Sequence, residues 1–123
     1  MSWGSPVKKE RNKYQKKIEA IDKSLSNINS ALDEIPGMRS KVIGTFRGEY
    51  TNDGSQGRFV YDFEGKVAYV EWEIEILYSS LLASRDQLQT TRATLENHLA
   101  TLNSYCRQED ETHKSVQLAD IKW

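Results

Sequence analysis

Tyr14-Gln-Lys-Lys-Ile18-Glu-Ala-Ile21-Asp-Lys-Ser-Leu25-Ser-Asn-Ile28-Asn-Ser-Ala-Leu32-Asp-Glu-Ile35 carries the reading that decides the fold. Its apolar residues step by 4, 3, 4, 3, 4 and 3, a heptad seam held over three repeats. Ser5-Pro6 stands before it as an N-cap followed by proline at the first helical position. A second ladder runs Phe63, Val67, Val70, Ile74, Leu77, Leu81, Ser84, Leu88, Thr91, Leu95, His98, Leu102, Tyr105. No glycine or proline interrupts the chain from Lys66 to His113. Two long amphipathic helices follow, expected at about 6–48 and 59–113, with 114–123 as a C-terminal tail on a single helical domain.

Two helices with facing seams pair antiparallel when the residue numbers of opposite partners have a constant sum. Ile35 with Val70, Leu32 with Ile74, Ile28 with Leu77, Leu25 with Leu81 and Ile18 with Leu88 give 105 or 106. Ile21 then faces Ser84, Tyr14 faces Thr91, and Val7 falls near His98. This register centres the reversal within 50–57, at Thr51-Asn52-Asp53-Gly54-Ser55, the best turn sequence in the chain. On this register residues 99–116 have no mate.

The stretch before and after the turn admits two readings. Six of the seven glycines lie between Gly37 and Gly65, and Pro36 costs about 3 kcal/mol inside a helix. Met38, Val42 and Phe46 nonetheless extend the seam, which predicts a helix kinked at Pro36 and continuing to about Gly48. Against it stands a β tip over 42–76, where Val70-Glu-Trp72-Glu-Ile74-Glu-Ile76 alternates strictly. That alternative describes a coiled-coil chaperone or scaffold subunit resembling prefoldin.

Composition narrows the chemistry. The 123 residues are 37% hydrophobic and 28% charged, lean for a compact sphere and suited to helices that each bury one stripe. Net charge is −1, so no global field points to nucleic acid or anionic lipid. No apolar run reaches the roughly 18 residues of a membrane span, and the first residues lack a signal-peptide core. Glu71, Glu73 and Glu75, spaced by two, cannot converge on one helical face. His98 and His113 are poorly spaced for a metal, and the lone Cys106 reads as an inert, half-buried thiol. The sequence therefore argues against an enzyme, and no cofactor is expected.

The charges are unevenly placed. Residues 1–23 carry seven Lys or Arg against three acids, and 62–75 carry five acids against Lys66, local balances of +4 and −4. Tyr69, Trp72 and Ile76 lie off the seam, on a second stripe that a two-helix hairpin leaves wet. Covering them would gain about 1.5–3 kcal/mol per fully buried large side chain. The expected answer is a four-helix bundle, completed by a second copy or by the helical domain of a different protein.

The architecture resembles the WXG superfamily, small helical hairpins of type VII secretion with Trp-x-Gly at the turn. Phe46-Arg-Gly48 stands where that motif falls, with phenylalanine in place of tryptophan. The family's export signal, Tyr-x-x-x-Asp/Glu, is matched by Tyr105-Cys-Arg-Gln-Glu109, and also by Tyr69 with Glu73. Phe63-Glu-Gly-Lys-Val-Ala-Tyr-Val-Glu-Trp72 is similar to the second helix of YwqH-like proteins, which accompany LXG toxins. The resemblance implies an adaptor that binds the helical N-terminal region of a larger secreted substrate. It further implies contact with a secretion ATPase through Tyr105 and Glu109, and a chain made in the cytoplasm and exported, if at all, without a cleavable signal peptide.

Overall fold

The computed structural model describes residues 4–51 and 56–123, with side chains described at 4–45 and 64–123. Helix α1 spans Pro6–Thr51 and helix α2 spans Gln56–Thr112, followed by a single 3-10 turn at Leu118–Asp120. There is no strand among the described residues, which overturns the β-tip alternative over 42–76. The alternating run satisfies a helix equally well, because Val70, Ile74 and Leu77 share one face while Trp72 and Ile76 share another. Helix α1 ends at Thr51 and α2 begins at Gln56, both within the 50–57 expected for the turn. Asn52-Asp53-Gly54-Ser55 themselves lie outside the described residues.

Helix α1 passes through Pro36 without ending. Pro36 is exposed, so its ring lies on the solvent side, and its missing N–H leaves the Leu32 carbonyl without its helical donor. At the start of α1, Ser5 caps the helix as its position predicts. The Ser5 hydroxyl oxygen accepts the Lys8 N–H at 3.2 Å, and the Ser5 carbonyl accepts the Lys9 N–H at 3.0 Å.

The chain divides into two compact units, each an antiparallel α1–α2 pair. The terminal unit comprises Met1–Ser26 and Asp86–Trp123. Its core is a cluster of Val7, Leu102, Cys106 and Ile121, with Tyr14, Tyr105 and Val116 packed against it. The segment expected as a C-terminal tail is packed against this core. Helix α2 ends as His113 adopts φ 55°, the left-handed conformation common just past a helix C-terminus. The following residues return along the helix as a strap and deliver Ile121 into the core. Nor are residues 99–116 without mates, since Leu102 and Cys106 pack with Val7 and Ile121.

The middle unit is Asn27–Arg85. Leu32 and Ile35 are its buried apolar residues among those described. An Arg39–Glu71 ion pair at 2.6 Å joins its two helices. Leu77, assigned to the seam by its spacing, is 44% exposed.

Contacts within each unit correct the pairing register. Tyr14 meets His98 edge-on, with ring centroids 5.8 Å apart, rather than Thr91. Val7 packs with Leu102 and Cys106 rather than near His98. Ile35 shares grooves with Ile74 and Leu77 rather than facing Val70. Each partner lies further along α2 by roughly one heptad. A heptad ladder presents the same apolar face after every repeat, so a one-repeat shift leaves the seam pattern unchanged. Particular side-chain pairs choose between the registers, among them Asp22 with Arg92 at 2.6 Å.

Candidate interaction surfaces

The stripe expected to meet a partner is open. Tyr69 and Trp72 are each 59% exposed and Ile76 is 47% exposed, all on α2 within the middle unit. Spacings of three and four place them on one helical face. The Tyr69 and Trp72 rings lie 6.0 Å apart in a tilted arrangement. A hydrogen bond between the Tyr69 hydroxyl and the Glu73 carboxylate raises the phenol above its ordinary value. The second Tyr-x-x-x-Glu match is thus a local i,i+4 contact on α2.

A separate apolar groove opens between the two helices. Ile35, Met38 and Val42 of α1 face Leu77 and Leu81 of α2 around a cavity of about 840 Å³, with Glu34 and Lys41 also on its lining. Met38 and Tyr78 are exposed as well. Among the described residues of the middle unit, six large hydrophobic side chains therefore meet solvent: Met38, Tyr69, Trp72, Ile76, Leu77 and Tyr78. A second groove of the same helix pair is mixed, with Ile35, Ile74 and Tyr78 beside Glu75 and the Arg39–Glu71 ion pair.

The seam residues divide by unit. Ile18 and Leu32 are buried, whereas Ile21, Leu25, Ile28, Val70, Ile74, Leu81 and Leu88 are only half-buried. Two helices alone leave much of the seam partly wet, as expected when each helix has one neighbour. Phe46 and Gly48, the turn-motif candidates, fall within α1, but their side chains lie outside the described residues.

Tyr105 and Glu109 are brought together, and both are engaged by the chain itself. Glu109 is completely buried. Its Oε1 accepts the Ser5 hydroxyl at 2.7 Å and its Oε2 accepts the Val116 N–H at 2.8 Å. The Tyr105 hydroxyl oxygen accepts the Lys122 N–H at 3.1 Å. Next in sequence, Asp110 takes an ion pair from Lys8 at 2.7 Å. One carboxylate thus holds both the cap of α1 and the start of the strap.

Other reactive side chains have structural surroundings. Burial raises the Cys106 thiol above its usual range, against the opposing pull of Arg11. His98 stacks with Trp123 at 4.9 Å between centroids and meets Tyr14 on its other contact. Arg92 bridges Asp22 and Glu96, and its guanidinium holds the Asp22 carboxyl below the ordinary carboxylate value. No cluster of three or more His, Cys, Asp or Glu able to hold a metal occurs among the described residues. No helix among the described residues is long and apolar enough to cross a membrane.

Sequence reasoning found the stripe through its position off the heptad ladder. It missed the Ser5–Glu109–Val116 chain, because a buried carboxylate has no periodic signature. The one available hint was the apolar content of the ending, with Leu118, Ile121 and Trp123 among its last residues. In comparison with known proteins, the chain matches no family model, no curated protein and no solved structure.

Proposed function

We propose that this chain is a non-enzymatic helical adaptor whose middle unit binds an amphipathic helical segment of a larger protein. The observation that carries the reading is the exposure of Tyr69, Trp72 and Ile76 together on one face of α2. A contiguous apolar surface of this kind marks a protein-binding site. Aromatic residues contribute disproportionately to such interfaces.

Charge favours a different protein over a second copy. A two-fold interface would place the same patch on both sides. It would then bring Glu73, which lies beside Tyr69 of the stripe, toward its own duplicate. Like charges across an interface cost several kcal/mol, about the gain from one or two buried side chains. The complementary partner is a helix with an apolar stripe flanked by Lys or Arg. Completing a four-helix bundle with a helical hairpin of that partner would cover both the stripe and the apolar groove.

The similarity to hairpins of type VII secretion supplies the candidate partner class, the helical N-terminal region of an LXG-type toxin. Its export is the process this adaptor would promote, with a secretion ATPase as the next contact. Co-expression of the full chain with such a region tests the reading. A stable complex is expected, and Trp72→Lys should weaken it at least ten-fold while leaving the helical signal of the adaptor intact. Equal binding by wild type and Trp72→Lys, or no complex with that region, would overturn it.

A further inference from the structure

We infer that the strap formed by residues 114–123 is a releasable latch, which in one motion covers the apolar cluster of the terminal unit and occupies Tyr105 and Glu109. The proposal goes beyond the adaptor reading and uses a different unit of the chain. Four contacts hold the strap: the Val116 N–H on Glu109, Ile121 in the cluster with Val7, Leu102 and Cys106, the Lys122 N–H on Tyr105, and the Trp123 ring against His98 and Tyr14. Two of the four are backbone donors on the side chains of one i,i+4 pair, so Tyr105 and Glu109 are closed or opened together.

The latch is lightly fastened. Ile121 is the one buried residue of the strap, Val116 is half-buried, and Leu118 and Trp123 are 43% and 59% exposed. Segments with few buried apolar contacts open locally, without unfolding of the elements beneath them. The hinge is His113, whose left-handed backbone is held against a mild steric preference for other conformations. Its N–H bond to the Glu109 carbonyl at 2.8 Å closes the last turn of α2, so that helix keeps its own end when the strap leaves. Glu109 also keeps the Ser5 hydroxyl, and the cap of α1 survives release. Release therefore presents Leu102, Cys106, Tyr105 and one oxygen of Glu109 as a new surface. Combined with the adaptor reading, on which this last step alone rests, the Tyr-x-x-x-Glu pair can be read by another protein only after the strap lifts.

Cys106 is the only cysteine in the chain and lies beneath Ile121, which makes it a native reporter. The experiment follows labelling of the full chain by a small aromatic disulfide reagent, alongside far-ultraviolet circular dichroism. In wild type, labelling in urea below the dichroism transition should be nearly independent of urea, the signature of local opening. Ile121→Asp should label at least ten-fold faster with its helical signal retained, and Ile121→Leu should stay close to wild type. Wild-type labelling that rises from the lowest urea with the full slope of global unfolding would overturn the latch, whatever the variants do. So would an Ile121→Asp chain that stays helical and labels at the wild-type rate. Neither result depends on whether a partner binds the middle unit.

Discussion

Glu109 is the residue on which most of the terminal unit converges. A carboxylate removed from water is costly unless its oxygens receive hydrogen bonds, and here each oxygen has one donor. Glu109→Ala strands the Ser5 hydroxyl and the Val116 N–H together. It should lower unfolding stability by about 3 kcal/mol, since hydrogen bonds to charged groups contribute roughly 1.5–3 kcal/mol each and the losses overlap. Urea denaturation of the variant beside wild type measures this. Asp22 behaves differently because it is exposed. Its hydrogen bond from Arg92 depresses the carboxyl below 3.8, so its contribution is present above that value and is lost as pH falls through the lowered one. Asp22→Asn should accordingly trail wild type slightly at neutral pH and match it in strong acid. The gap should shrink with added salt, as for other surface pairs. A gap that widened in acid would contradict the Arg92 assignment.

At the scale of the elements, the helices were legible and their register was not. The 4-3 ladder from Tyr14 to Ile35 dictates α1, and its counterpart from Phe63 to Tyr105 dictates the course of α2. The ladder cannot number its own repeats, so pairing from the turn sequence alone fell roughly one heptad short. The information that fixes pairing sits in single side chains such as Tyr14 and His98, or Asp22 and Arg92. The strap was illegible for a related reason: an extended segment touching a helix leaves no period in the sequence. By contrast the stripe at Tyr69, Trp72 and Ile76 stood out because it breaks the seam pattern.

The glycines of the middle unit test the helical account of this stretch. A Cβ added at Gly37 or Gly44 meets nothing within 4 Å. Gly44→Ala should therefore stabilise the chain by about 1 kcal/mol, the helix-propensity difference with no packing penalty. Gly37→Ala should do the same, and the gains should be read as shifts in the denaturation midpoint. Pro36→Ala restores a donor to the Leu32 carbonyl and should add up to about 3 kcal/mol. Loss of stability in all three would show that this stretch of α1 is not an ordinary helix.

For the molecule as a whole, the exposed stripe of the middle unit has the most consequence. The terminal unit has a core closed by its own strap, built on Val7, Leu102, Cys106 and Ile121. Among the described residues, the middle unit holds Leu32 and Ile35 in its interior and leaves six large hydrophobic side chains at its surface. On the proposed reading, the exposed stripe of this unit is where helices from elsewhere dock. Solution mass by light scattering, at two concentrations and with a hydrophobic dye present, tests this most directly. The account predicts a monomer at both concentrations that binds the dye, with binding sharply reduced in Trp72→Lys. A dimer that binds no dye until Trp72 is changed would give the surface to a second copy, and a monomer that binds no dye would contradict the open surface altogether.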